Sequence, residues 1–489
     1  MYRQIIIILS IVVFLLFNRC SKELGNYKYG ELNEVNISGL LAGDHDTDRI
    51  FNLPFKGTLE LNPTVEGTLS GADHKKLTFE WKIDDKIISN TLNLKFTANE
   101  KYGKLPGEFI VTDNETGFKK YYHFFINIVN PFKLGYYVLA KNADDEAILY
   151  CKSTLVKESV FEKVLIPNMV LGKNPLTIGG VREYGNSSTD YYNKLIFGIR
   201  NSANPVFMID TREFLPILVY NNEAYVGDKT NFNFQPTEVM IDSFFPVIYV
   251  VNDGKIHILQ KGGIDLPIFS KDPNHYSAGF GSLVKTNSSG HRFLSFYDTK
   301  NKTMRLLDNS ISNISYDFTK SYDQIVEPSL FKNQKFITGC QTNLDGNVKM
   351  MYLMLEGQTL KSYKVNYDSK RIPTDVVKLA ENAIPGDGIV TSAYYDFMSN
   401  FWYLSTSRAI FRASHLGLEF QPYVELPQDF TGTIKKFKIM NNRLMIGAYD
   451  EGFAGDKKSS VFLYNINTMQ LIFRDEHVTE EIIDLHIGN

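Results

Sequence analysis

The chain has 489 residues, of which 43% are hydrophobic, 22% charged and 13% aromatic, and its formal net charge is −3. These values exclude a disordered, collagenous or coiled-coil chain and leave no basic excess for nucleic acid. Three cysteines are too few for a disulfide-stapled scaffold, while 28 Tyr and 35 Phe against 2 Trp suit the half-buried pleated surfaces of β structure.

At the N-terminus Arg3 precedes an apolar run from Ile5 to Phe17, broken only by Ser10. The run is shorter than the roughly 20 apolar residues of a membrane-spanning helix. It fits the apolar core of a secretion signal over residues 1–19. Cys20 falls where cleavage would occur, which leaves two readings. Either its thiol is acylated and a lipid on Cys20 anchors the chain, or the segment is a short uncleaved anchor with an incidental cysteine. Residues 20–34 are then a polar linker.

Residues 35–130 alternate with period 2. In the run from Leu77 to Asp84, Leu77, Phe79, Trp81 and Ile83 share one face, as in a strand with one buried side. Phe109 and Val111 lead into the turn Asp113-Asn114-Glu115-Thr116-Gly117, and the chain returns through Phe124 and Ile126 as a hairpin. About seven short strands around one Trp form an immunoglobulin-like sandwich pattern. No Cys pair brackets Trp81, so this is not a true immunoglobulin domain. Three stretches carry a more specific likeness: Cys20 followed by Leu24-Gly25-Asn26-Tyr27; Asn33-Glu34-Val35 with Ile37; and Phe79 and Trp81 followed by Thr112-Asp113 and Thr116-Gly117. Together they resemble the PKD-like lipoproteins of Bacteroidetes.

From residue 131 to 489 a strand–turn–strand pattern recurs, starting at residues 135, 194, 246, 292, 348, 400 and 442, at intervals of 42 to 59. A repeat of this length with several strands per unit indicates a β-propeller. Seven blades fit best, with six or eight open, and a β-solenoid or two stacked sandwiches are the other architectures this spacing allows. The first strand of each hairpin is rich in Phe, Tyr, Leu and Val, as inner strands buried on both faces should be. Residues 480–488 are placed to close the first blade. The fold class is therefore all-β, a PKD/immunoglobulin-like sandwich followed by a propeller-like domain. Cys151 and Cys340 sit in strand-like contexts, as buried free thiols or as a disulfide.

No catalytic motif is present. The nine histidines form neither His-x-His nor His-Glu-x-x-His, and nucleophile elbows, P-loops and dinucleotide fingerprints are absent. Asp44, Asp46 and Asp48 are spaced like the start of a calcium loop, but Arg49 and Phe55 occupy the positions that need Gly and Glu. A solvated loop is the expectation there, with no metal and no cofactor beyond the lipid on Cys20. The ligand-binding candidates are loop aromatics beside adaptable polar residues: Tyr184, Tyr191 and Tyr192, then His275 and Tyr276, then Phe453.

The resemblance implies that Cys20 is the lipidated residue of a surface-exposed outer-membrane lipoprotein. It further implies work beside a SusC-like TonB-dependent transporter and a SusD-like lipoprotein, with other surface lipoproteins as possible neighbours, in the uptake of oligopeptides or glycans. Capture without turnover is the functional expectation, with peptide ahead of glycan and no nucleic acid. A propeller-type surface glycosidase or lyase is the alternative, marked by carboxylates with raised pKa in the central cavity. A purely structural assembly component is the third, marked by an apolar face with no pocket.

Overall fold

The computed structural model describes residues 33–40, 49–99, 102–181, 194–241, 248–260, 262–268, 274–284, 293–308, 324–325, 328–342, 349–367, 373–396 and 399–488. They form an all-β chain with only short helical turns. No helix among them is long and apolar enough to cross a membrane. The chain divides into two compact units, Met1–Glu100 with Lys104–Ile128 and Lys101–Gly103 with Val129–Asn489.

The first unit is built on a five-stranded antiparallel sheet ordered Ile50–Pro54, Lys119–Val129, Gly103–Asp113, Leu77–Ile83, Lys86–Ser89. Two two-stranded sheets complete it, Val35–Ser38 with Thr64–Gly67 and Thr58–Leu61 with Leu94–Thr97. The alternation seen in the sequence sets which side chains go in. Trp81 pairs with Phe109 across the sheet, is fully buried, and stacks on that ring with centroids 4.1 Å apart. Its indole N–H donates to Thr91 O at 2.9 Å, so the buried ring leaves no polar atom unpaired. At the hairpin, Asp113 Oδ1 accepts from the N–H groups of Glu115 and Thr116 while Oδ2 accepts from Asn33. Gly117 supplies the positive φ of +72°.

Among the described residues the second unit contains seven four-stranded antiparallel sheets. Each of the seven hairpins expected from the sequence forms, and each occupies the second and third positions of its sheet. The first strands of the hairpins are therefore inner strands, flanked on both sides, and the innermost place is left to one further strand of each sheet. That place belongs to the closing strand expected near the C-terminus, Glu481–Ile487, and to six strands the apolar pattern did not single out: Lys173–Val181, Pro236–Ile241, Leu283–Val284, Lys335–Thr342, Ser392–Asp396 and Thr433–Met440. These follow one another around an axis. Lys173–Val181 lies against both Glu481–Ile487 and Pro236–Ile241, and Thr433–Met440 lies against Glu481–Ile487.

Between every pair of adjacent sheets lies a separate apolar cluster, and the seven clusters close a circle. The pleat explains this. In Gly135–Lys141, Tyr137 and Leu139 point to the second sheet, while Tyr136, Val138 and Ala140 point to the seventh. A strand buried on both faces reads as a continuous apolar run, which is why these hairpins were visible. The last strand, Glu481–Ile487, pairs antiparallel with Gly135–Lys141, Tyr136 opposite Ile487. It closes the ring and covers what would be an open sheet edge. The unit is a β-propeller.

Candidate functional site

Among the described residues five innermost strands carry a β-bulge, at Ile483, Leu176, Thr237, Ile337 and Lys435. A bulge inserts one unpaired residue and re-aims its neighbours. The residues that follow or adjoin these bulges are Asp484, Thr177, Glu238, Thr338 and Lys436. Around the axis this gives a set of polar side chains that no local motif announces.

Two of the carboxyls join one sheet to the next. Asp484 Oδ2 accepts from Thr177 Oγ1 at 2.6 Å and from Ile178 N at 3.1 Å. Glu238 accepts from Ser282 N at 3.0 Å and Leu283 N at 3.3 Å. Lys436 Nζ stands 3.9 Å from Asp484 Oδ1. The environments drive these groups apart. Burial pushes Glu238 up to about 8 against the opposing pull of the Leu283, Ser282 and Gly281 N–H groups and Lys436. Burial also pushes Asp484 up, but Lys436, Lys438, Thr177 and the Ile178 N–H together outweigh it and hold the carboxyl below its usual range. Burial, reinforced by Lys438, drops His486 to about 3 and keeps it neutral. Among the described residues no group of three His, Cys, Asp or Glu is placed to hold a metal ion.

A separate cleft of about 570 Å³ opens at the end of the propeller where the innermost strands begin. It is formed by the approaches to Lys173–Val181 and Pro236–Ile241 and by the turn after Lys194–Asn201. Its lining is rich in amides, with Asn201, Asn233 and Gln235 exposed beside Arg200. Asn221 and Asn222 hold its wall, accepting from the N–H groups of Glu223 and Phe234. Glu223 is the one carboxylate among the lining residues.

The candidates read from the sequence fall differently. Cys20, Tyr184, Tyr191, Tyr192 and the Asp44–Asp48 loop lie outside the described residues. Tyr276 is a buried core residue. Its hydroxyl accepts from Ile256 N at 2.9 Å, so the ring is not part of the surface. His275 packs edge-on against Tyr276, and its carbonyl accepts from Asn301 Nδ2 at 2.8 Å and Arg305 at 3.4 Å. Arg305 is itself locked to buried Asp298 at 2.7 Å. Phe453 is 36% exposed and stacks on His477, centroids 3.6 Å apart. The ring that sequence reasoning missed is Phe280, 79% exposed, two residues before the Ser282 N–H that binds Glu238. Its flanking glycines, Gly279 and Gly281, were the available signal. Cys151 and Cys340 are buried and form no disulfide.

The PKD-like family model matches residues 20–172. No curated protein matches the chain. Among solved structures, a quinonprotein alcohol dehydrogenase-like protein from Bacteroides thetaiotaomicron is 13% identical, with 90% of this chain and 96% of that one covered and a TM-score of 0.49. The periplasmic gluconolactonase of Pseudomonas aeruginosa is 10% identical over 72% of this chain and 99% of that one, TM-score 0.43. The Cps50 (Swd1) β-propeller domain of Myceliophteria thermophila is 9% identical over 66% and 92%, TM-score 0.40. These likenesses are too distant to carry chemistry across, and the propeller rests on the strand order and the closed circle of cores.

Proposed function

We propose that this chain is a lipid-anchored surface protein that captures an oligopeptide or glycan without turning it over, as a non-catalytic accessory of a SusC/SusD-type TonB-dependent uptake complex. The amide-lined cleft carries the reading. Its polar lining is dominated by groups that recognise by hydrogen bonding, with no paired carboxyls to do chemistry. The support for an anchor at Cys20 is the apolar run before it and the PKD-like match that begins at that residue. Holding a weak binder at a membrane raises the local concentration of a polymeric ligand, so modest affinity suffices.

The experiment is to extract the full-length protein from outer membranes in mild detergent by an affinity tag and identify its companions by mass spectrometry. Co-recovery of a TonB-dependent transporter and its lid lipoprotein is the expected result. Recovery from the soluble fraction, or alone under conditions that preserve other membrane complexes, overturns the accessory role.

One observation favours a surface glycosidase or lyase instead. Glu238 and Asp484 are pushed in opposite directions around one axis, as acid and base partners are in hydrolases. Both accept backbone N–H bonds from the neighbouring sheet, which makes them staples between blades first. Hydrolysis of oligosaccharides that is abolished in Glu238→Gln would establish the enzyme.

A further inference from the structure

The amide-lined cleft holds a guanidinium that the fold does not use. Among the described residues Arg200 makes no ion pair and no side-chain hydrogen bond, and it is exposed. The amides beside it are equally uncommitted: neither Asn201, Asn233 nor Gln235 spends its side chain inside the fold. Their backbone is nevertheless fixed. Phe234 is buried between exposed Asn233 and Gln235. Buried Asn252 clamps both of these neighbours, accepting from Gln235 N at 2.7 Å and donating to Asn233 O at 3.1 Å, while Asn222 accepts from Phe234 N at 2.7 Å. Groups preset in this way reduce what a ligand must order when it binds. The carboxylate of the lining is already matched. Glu223 Oε2 lies 3.4 Å from Lys229 Nζ, which also donates to the Glu223 carbonyl at 2.6 Å. The cleft therefore presents an unmatched positive charge among free amides.

We propose that the cleft holds an oligopeptide by its free C-terminal carboxylate, with the Arg200 guanidinium as the anchor. The planar fork of guanidinium N–H donors fits the paired oxygens of a carboxylate. Side-chain amides donate to peptide carbonyls and accept from peptide N–H groups, so Asn201, Asn233 and Gln235 suit main chain of any sequence. The volume of about 570 Å³ lies within the roughly 300–1,000 Å³ of sites that take small ligands. A neutral glycan fits less well. It would leave Arg200 uncompensated, and the aromatic ring of the lining, Phe234, is only 2% exposed, which denies a pyranose its stacking surface. A peptide's amino terminus finds no free anion, because Lys229 already holds Glu223. The C-terminal carboxylate is the anion that every unmodified oligopeptide carries whatever its sequence, which suits capture of mixed peptides.

The proposal deepens the capture reading by naming the ligand class and the group that is recognised, and it rests on that reading. The test immobilises detergent-solubilised full-length protein and titrates it with a mixed-sequence hexapeptide library that lacks Asp and Glu. The library is offered as free acids, as N-acetylated peptides and as C-terminal amides, and retention is read by mass spectrometry. Free and N-acetylated peptides are expected to bind alike, and the amides at least tenfold more weakly. Arg200→Gln should bring the free acids down to the level of the amides. Its melting temperature should stay close to the parent's, since among the described residues the Arg200 side chain bonds to nothing in the fold. Amides that bind as tightly as free acids overturn the proposal, as does free-acid binding that survives Arg200→Gln. Cellohexaose and oligogalacturonate are titrated alongside. Retention of either sugar without peptide overturns the peptide assignment and leaves capture standing, whereas retention of neither class brings down both.

Discussion

At the scale of single residues, the propeller axis concentrates opposed electrostatic demands on a few side chains. Glu238 titrates near 8 when folded and near the ordinary carboxyl value when unfolded. Between those values the folded chain holds a proton that the unfolded chain has lost, so stability falls as pH rises through the window. His486 works in the other direction. Unfolded, it gains a proton below its model value of 6.5, and folded it refuses one down to about 3. Stability is therefore lost as pH falls below 6.5, and Asp484, whose folded pKa is depressed, adds to that loss at lower pH. Urea midpoints measured across pH should decline on both sides. Glu238→Gln should flatten the alkaline side while leaving the acid side, and His486→Gln should do the reverse. Should Glu238→Gln leave the alkaline slope intact, the carboxyl is ionised in the fold and burial is not what governs it.

At the scale of elements, the tight turn Asn252-Asp253-Gly254 shows how far local sequence reaches. Asp253 and Gly254 both take positive φ, +48° and +69°, as a two-residue hairpin requires. A Cβ on Gly254 would also come within 2.9 Å of Ser277 Oγ. Gly254→Val should therefore cost about 1–2 kcal/mol, read as a lowered denaturant midpoint with unchanged slope. Such turns were legible because their chemistry is contiguous, and the middle hairpins were legible because burial on two faces makes them uniformly apolar. The innermost strands were not, except the closing strand Glu481–Ile487. Thr433–Met440 reads TIKKFKIM, whose lysines turn to the axis or to solvent, and its bulge at Lys435 breaks the period-2 count on which strand recognition depends. The axial set was hidden for the same reason and for another. Thr177, Glu238, Lys436 and Asp484 come from four strands far apart in the chain, each placed beside a bulge that a pattern search does not see. Of the sequence-derived candidates that the structure describes, Tyr276 belongs to the core. A buried aromatic and a recognition aromatic look alike in a loop of Pro, Asn and His.

At the scale of the whole molecule, each compact unit owns one tryptophan, Trp81 in the first and Trp402 in the second, and the sequence has no others. Trp81→Ala should cost the sandwich about 3–5 kcal/mol, the range for a large aromatic deleted from a core. Trp402 emission in that variant should keep the melting midpoint it has in the parent. A Trp402 transition that moves in step with the mutation would show instead that the units melt as one. Removing residues 481–489 should be far more damaging to the second unit. It takes away the partner of Gly135–Lys141 and the Asp484 staple together, leaving an apolar strand edge open to self-association. Light scattering on refolding should report aggregation of the shortened chain and not of the full one.

That same pairing of Tyr136 with Ile487 sets a timetable for synthesis. The sandwich has all its strands once residue 129 has emerged, whereas the first blade lacks its inner strand until residue 487 is made. At about 5–20 residues per second the interval is on the order of tens of seconds. Sheets accumulate through that time, and by its end the nascent chain carries six complete sheets with the circle still open. A chaperone that holds nascent chains would find its substrate here in the propeller and not in the sandwich, and its release would have to await the final strand.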